Sequence, residues 1–267
     1  ATIASGLLAN VSTRGLTKRG DGVMIGGFVI GGTSPKKLLI RGLGPSLTGS
    51  GLQNPIGDPT LELHDTRELI ASNDDYVSGD DLTRNLLVPR SPKESAIVAT
   101  LAPGSYTAIL RDKAGAEGLS LVEIYDLEPS SGSVANLSTR AKVEGNDNVL
   151  IGGFIVKNAP STVLVRAIGP SLAAHGVSNF LQDPELTIYN AEGTVVVENQ
   201  SWRSREKDIS AAGLAPVDDR EAAVMATLQV GSYTAIVRNQ QRTEATNGVG
   251  LVEIYYLERG GVTERGP

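Results

Sequence analysis

The densest group of hard oxygen donors in the chain is Asn73-Asp74-Asp75, followed within a few residues by Asp80-Asp81. Carboxylate and amide oxygens gathered on a loop between strands are the donor type that Ca²⁺ takes, so Asn73, Asp74, Asp75 and Asp80 are the candidate ligands of one calcium ion. No D-x-[DN]-x-[DN]-G loop accompanies them, and solvated loop carboxylates are the competing reading. Two aromatic residues, Tyr76 and Trp202, fall in loop-like stretches and are the candidate platforms for stacking on a sugar. By contrast, Tyr106, Tyr125, Tyr233 and Tyr255 lie in strand-like runs where core packing is the default. Arg41 and Arg166 sit in phase with Leu39 and Leu164, and Glu123 and Glu253 are in phase with Leu121, Tyr125 and Leu251, Tyr255. A half-buried charge needs a partner, so the expected structural ion pairs are Arg41 with Glu123 and Arg166 with Glu253.

These pairs come in twos because the chain repeats itself. Asn10 to Phe28 (NVSTRGLTKRGDGVMIGGF) returns as Asn136 to Phe154 (NLSTRAKVEGNDNVLIGGF), with 10 of 19 positions identical. The register persists through Arg41-Gly-Leu-Gly-Pro-Ser-Leu47 and Arg166-Ala-Ile-Gly-Pro-Ser-Leu172, then Gly104 to Arg111 and Gly231 to Arg238, and closes on Leu121-Val-Glu-Ile-Tyr125 and Leu251-Val-Glu-Ile-Tyr255. A unit of this length is a domain rather than a solenoid repeat, which divides the chain into 1–130 and 131–267 with a polar linker at Pro129-Ser-Ser-Gly-Ser133. Arg14 and Arg140, each ending an Asn-x-Ser-Thr-Arg string, are placed where a contact between the two units would need them.

The duplication also acts as an internal control on chemistry. The second copy carries Asn199-Gln200-Ser201 where the first has Asn73-Asp74-Asp75, so any calcium site belongs to the first copy alone. His64 becomes Tyr189, and His175, the other histidine, lies in a turn beyond the repeated strings, so no nucleophilic triad can be assembled around either. Ser46 and Ser171 follow Gly-Pro and lack a G-x-S-x-G elbow, which makes them turn residues. The sequons at Asn10, Asn136 and Asn199 read as strand-edge asparagines before they read as glycosylation sites.

Short runs rich in Val, Ile, Leu and Thr, alternating in polarity and bounded by Gly, Pro, Asp and Asn, recur throughout each copy: 23–30, 37–41, 60–64, 95–101, 105–111 and 119–127 in the first. Sustained helical spacing is missing, apart from one turn near Ile209 to Gly213. The expected fold is all-β: two homologous antiparallel β-sandwich domains, jelly-roll-like, in tandem. Gly26-Gly27 and Gly152-Gly153 interrupt apolar strands, which marks a bulge or a close backbone approach. With 24 Lys+Arg against 30 Asp+Glu, a net charge of −6 and scattered basic residues, a nucleic-acid partner is excluded. The absence of Cys removes disulfide and thiolate chemistry, and no apolar run is long enough to span a membrane.

The strings Asp58-Pro-Thr-Leu-Glu-Leu-His-Asp65, Leu69-Ile-Ala-Ser-Asn-Asp-Asp75 and Pro103-Gly-Ser-Tyr-Thr-Ala-Ile109 resemble bacterial pre-peptidase C-terminal-like β-sandwich domains. The NLSTR and IGGF strings resemble a tandem domain of large uncharacterised secreted bacterial proteins, and this likeness covers nearly all of each copy. Both resemblances imply an exported, non-catalytic module, extracellular or at the cell surface. The resulting expectation is a structural or adhesive protein that self-associates, head to tail or by adding the strand of residues 1 to 9 to a neighbour's open sheet edge. The alternative is a carbohydrate-binding module whose polysaccharide stacks on Trp202 and Tyr76. No cofactor other than the calcium candidate is expected.

Overall fold

The computed structural model describes residues 10–79, 82, 86–128, 133–145, 148–241 and 247–257. Asp80, Asp81, residues 1 to 9 and the linker residues 129–132 lie outside them, so the expectations that rest on these positions stay with the sequence. Among the described residues no helix is long and apolar enough to cross a membrane.

The first half runs β1 (Asn10–Thr17), β2 (Met24–Gly31), β3 (Lys36–Leu43), β4 (Pro59–His64), β5 (Leu69–Asn73), β6 (Ser95–Leu101), β7 (Gly104–Asp112) and β8 (Gly118–Asp126). The second repeats the series as β9 (Ser133–Val143), β10 (Leu150–Val156), β11 (Ser161–Ile168), β12 (Pro184–Asn190), β13 (Val195–Asn199), β14 (Ala222–Leu228), β15 (Gly231–Asn239) and β16 (Gly248–Leu257). Period-two burial confirms the reading from alternation: Met24, Gly26, Phe28 and Ile30 of β2 point inward and their neighbours outward. The helical turn expected near Ile209 is α1 (Glu206–Ala211), which ends before Gly213 at φ 69°.

Within each half the strands form two antiparallel four-stranded sheets, in the orders β6-β3-β8-β1 and β2-β7-β4-β5 for the first and β14-β11-β16-β9 and β10-β15-β12-β13 for the second. Numbered one to eight along the chain, the order 1-8-3-6 over 2-7-4-5 is that of a jelly roll. The all-β sandwich class expected from the sequence is therefore the observed one.

The two jelly rolls are joined sheet to sheet across the repeat boundary. β1 pairs with β10, setting Val11, Ser12, Thr13 and Arg14 opposite Phe154, Gly153, Gly152 and Ile151. β9 pairs with β2 in the same way, with Leu137 opposite Phe28, Ser138 opposite Gly27, Thr139 opposite Gly26 and Arg140 opposite Ile25. The most strongly repeated strings are thus each other's partners: NVSTR lies on the second IGGF, and NLSTR on the first. A Cβ on Gly27 would come within 2.5 Å of Ser138 Oγ, and one on Gly153 within 2.8 Å of Ser12 Oγ, so a side chain at either position would have to turn the facing serine aside.

Equivalent residues meet on the line where the halves cross, as a two-fold relation requires. The hydroxyl of Thr139 donates to that of Thr13 at 2.9 Å, Leu16 bridges to Lys142, and the Lys18 ammonium pairs with Glu144 at 2.6 Å. The apolar core runs through the seam without a break, from Leu38, Leu61 and Leu110 in the first half to Val163, Leu186 and Val237 in the second. Arg14 and Arg140, assigned from the sequence to such a contact, both lie on the seam strands.

Candidate functional site

Asp74 and Asp75 leave the end of β5, and Asp58 precedes β4; their carboxylates come together so that one oxygen of each lies within 4.8 Å of the others. Asp58, absent from the sequence-derived ligand set, is brought in by the β4–β5 pairing. Asn73 drops out of that set, because its Oδ1 accepts from Ala96 N at 2.8 Å and its Nδ2 donates to Asp75 O at 3.0 Å. Two ammonium groups stand beside the acids: Lys113 is ion-paired with Asp74, and Lys93 lies 3.8 Å from Asp58. Pairing with Asp74 holds Lys113 above the ordinary lysine range. Asp58 Oδ1 and Asp74 Oδ1 are shut off from water and have no hydrogen-bond partner among the described residues. Lys113 holds the other oxygen of Asp74, so a Ca²⁺ ion at these oxygens would share Asp74 with that ammonium.

The other half shows what the cluster becomes without charge. Gln200 and Gln240 replace Asp74 and Lys113 and meet as a neutral amide pair at 2.9 Å. Asn199 keeps the role of Asn73, accepting from Ala223 N at 3.2 Å. Asp183, the counterpart of Asp58, is pushed up by burial, with Arg220 opposing.

Arg41 and Glu123 face each other across the β3–β8 pairing, and Arg166 and Glu253 across β11–β16. Arg41 Nε donates to Glu123 Oε2 at 2.9 Å and Nη1 to Leu87 O at 2.7 Å; Arg166 repeats these contacts with Glu253 at 2.8 Å and Leu214 O at 2.8 Å. Each pair has a third member, a tyrosine that strand alternation alone assigns to the core. The Tyr125 and Tyr255 hydroxyls each accept from the arginine at 3.0 Å and donate to the other carboxylate oxygen at 2.9 Å. Burial, and next to it the carboxylate, pushes both phenols up to about 12. Charge, hydrogen bonds and the ring under the guanidinium satisfy every group, which is the chemistry of a clamp between strands and a loop.

Trp202 is not a sugar platform. The ring is 4 % exposed, packs with Leu164, Ile209 and Ala223, donates from Nε1 to Asp218 O at 3.0 Å and carries Arg203 over its face. A loop aromatic with apolar residues from α1 and β11 within reach is worth more buried than exposed. Tyr76 occupies the equivalent place, half-buried, with its backbone N–H on Glu94 O at 2.8 Å. The strand tyrosines behave as read: Tyr106 stacks on Phe28 at 5.5 Å and Tyr233 on Phe154 at 5.6 Å.

Two glutamates that no sequence motif marks are of equal consequence. Glu94 is fully buried just before β6, and its Oε1 accepts from Gly44 N at 3.1 Å, Ser46 N at 3.0 Å and Ser46 Oγ at 2.6 Å. Glu221 does the same for Gly169 and Ser171. The Gly-Pro-Ser strings are therefore cradles for a buried carboxylate, which a search for glutamates recurring at the repeat interval would have found. Lys36 and Asp126 form a buried pair at 2.8 Å, and Ser161 and Tyr256 take their places in the second half. His64 lies 3.1 Å from Glu62, beside Arg111.

A cleft of about 340 Å³ opens on the seam, lined by Arg14, Lys18, Asn54, Glu117 and Glu144. Within it Lys18 reaches Glu144 at 2.6 Å and Glu117 at 3.6 Å.

No family model matches the chain, and no curated protein sequence is significantly similar to it. Among solved structures, the pre-peptidase C-terminal domain of a Bacillus anthracis collagenase is 16 % identical, covering 45 % of this chain and 90 % of its own, with a TM-score of 0.28. A chain of Sulfolobus turreted icosahedral virus is 10 % identical over 92 % of this chain and 90 % of that one, TM-score 0.26. A DUF4785 family protein of Legionella pneumophila is 10 % identical over 92 % and 80 %, TM-score 0.25. At such scores none of these similarities bears on function, and the fold class rests on the strand pairing described above.

Proposed function

We propose that this chain is a non-catalytic structural or adhesive subunit of the cell exterior, built from two duplicated jelly rolls (1–130 and 131–267) and associating copy on copy. One observation carries the reading: among the described residues, each half has an edge strand, β6 or β14, with no charge, proline or bulge, while the other edge strands, β5 and β13, are broken by bulges. β5 (LIASN), β6 (SAIVATL) and β14 (AAVMATL) contain no charge and no proline, and β13 (VVVEN) contains a single Glu198. Proteins that stay apart protect such edges with lysines, prolines or bulges, because an open edge is a template for another strand. Resemblance of the NLSTR and IGGF strings to tandem domains of secreted bacterial proteins supports the exterior location. With Trp202 buried, nothing in the site geometry favours the carbohydrate-binding alternative.

Negative-stain electron microscopy and light scattering on the purified chain over a range of concentrations test this directly. Regular fibres or sheets with a repeat close to one two-jelly-roll chain are expected. Monomers at every concentration would remove the assembling subunit from consideration.

A further inference from the structure

Lys36 opens β3 and Asp126 closes β8, and among the described residues theirs is the most deeply buried ion pair: both side chains are fully shut off from solvent, with Nζ 2.8 Å from Oδ2. The phase of each strand puts them there. Lys36 is in step with Leu38 and Ile40, and Asp126 with Val122 and Ile124, four residues of the apolar core. Taking two charges out of water is costly, and their attraction offsets the cost only where the remaining hydrogen-bonding capacity is filled. Here Asp126 Oδ2 accepts no hydrogen bond among the described residues, close as the ammonium is. The second half has no charge at the equivalent positions, Ser161 and Tyr256, and Tyr256 Oη donates to Ile155 O at 2.9 Å.

One backbone residue holds both groups. Glu128 N–H donates to Asp126 Oδ1 at 2.9 Å, and Glu128 O accepts from Lys36 Nζ at 3.2 Å. An amide between the two side chains would keep both contacts, with Oδ1 as its oxygen and Nζ–H as its donor; only Oδ2 has no place in it. We propose that Lys36 and Asp126 become joined by an isopeptide bond that the folded chain makes for itself. One ammonium proton passes to Oδ2, because a site without water favours the uncharged amine and acid. The Nζ lone pair then attacks Cγ, and the negative charge gathering on Oδ1 is met by the Glu128 N–H. Finally the Cγ–Oδ2 bond breaks, and Oδ2 leaves as water with the first proton and a second one from Nζ. A new C–N bond replaces one C–O bond, and no oxidant, reductant or further reactant is consumed. Exclusion of water from the site also opposes hydrolysis of the product. The bond ties the start of β3 to the end of β8, so that tension along the chain passes from residue 36 to residue 126 without reaching β4, β5, β6 or β7.

Mass spectrometry of the full chain under denaturing conditions tests the bond. The parent should weigh one water less than its sequence, and digestion should release a branched peptide in which Lys36 is joined to Asp126. Asp126→Asn should reach the same final mass as the parent, since the same amide forms there with ammonia as the leaving group. Lys36→Met and Asp126→Ala should each show the full mass of their sequences. A parent at full sequence mass, or a water deficit that persists in Lys36→Met, would overturn the bond. The branched peptide is read on the parent alone, so its absence overturns the bond even where a variant fails to fold. None of these outcomes depends on whether copies of the chain associate.

Discussion

Thr13 and Thr139 occupy the same position in the two copies, and each is the other's hydrogen-bond partner: Thr139 Oγ1 donates to Thr13 Oγ1 at 2.9 Å, with both residues about 1 % exposed. Replacing either by valine strands a buried hydroxyl, whereas replacing both removes the need for a bond. Thr13→Val and Thr139→Val should each lower stability by about 1–2 kcal/mol, and the double variant by clearly less than the sum. Urea unfolding of all four proteins measures the coupling; strict additivity would mean that the hydroxyls do not interact.

The cradle around Glu94 makes a larger demand. Its carboxylate accepts from Gly44 and Ser46, and also from Ser91 N at 3.2 Å. Glu94→Ala should cost about 3 kcal/mol, since the backbone donors left behind are buried or half-buried without acceptors. Ser46→Ala removes one of these donors and should cost about 1 kcal/mol; thermal melts that rank the two equally would contradict the cradle.

Alkali should weaken the clamps. The phenols of Tyr125 and Tyr255 are raised to about 12 from an ordinary value of 10.0. The folded chain therefore holds protons that the unfolded chain releases, so their contribution is complete below pH 10 and declines as pH climbs from about 10 to about 12. Burial raises Tyr256 as well, in the same direction. Melting temperature should fall through that window, and a Tyr125→Phe, Tyr255→Phe variant should show a shallower fall from a lower starting point. A parent profile flat across the window would contradict the raised phenols.

Trp202 is the chain's single tryptophan and reports on its own surroundings. Its fluorescence should be that of a buried indole and shift to the red on unfolding. Trp202→Ala should cost about 3–5 kcal/mol, and Trp202→Tyr, which copies Tyr76 of the other half, distinctly less. Emission typical of an exposed ring in the folded protein would reopen the sugar-stacking role.

Calcium at the millimolar level of extracellular modules should leave the melting temperature unchanged, because Lys113 already neutralises Asp74. Lys113→Gln, which imports the Gln240 of the other half, removes that charge. A rise in melting temperature with Ca²⁺ in the parent protein would establish the carboxylates as a metal site.

Much of this molecule was legible before folding. Alternation and punctuation marked the strands of β2, β3, β4, β6, β7 and β8, and the shared phase of Arg41 with Leu39 and of Glu123 with Leu121 foretold a pair that the β3–β8 register delivers. β5 escaped because an edge strand half in solvent does not alternate. Glu94 escaped because a lone glutamate looks like any surface acid until the loop from β3 closes on it. Asp58 joined Asp74 and Asp75 only through strand pairing across a turn, and the burial of Trp202 was decided by which apolar residues of α1 and β11 the fold brought beneath it.

By itself the sequence determined that there are two copies, that each is a series of antiparallel strands, and which residues correspond. It did not determine that NVSTR lies on the second IGGF and NLSTR on the first. The strings are nearly identical, so pairing within a copy and pairing between copies satisfy the same local pattern of side chains and glycines. What separates them is the position of whole sheets. Once each jelly roll has folded, β1 and β2 lie at its edges, and the edges within reach belong to the other half. There Thr13 meets Thr139 and Lys18 meets Glu144, contacts between equivalent positions that only a two-fold arrangement in space can create.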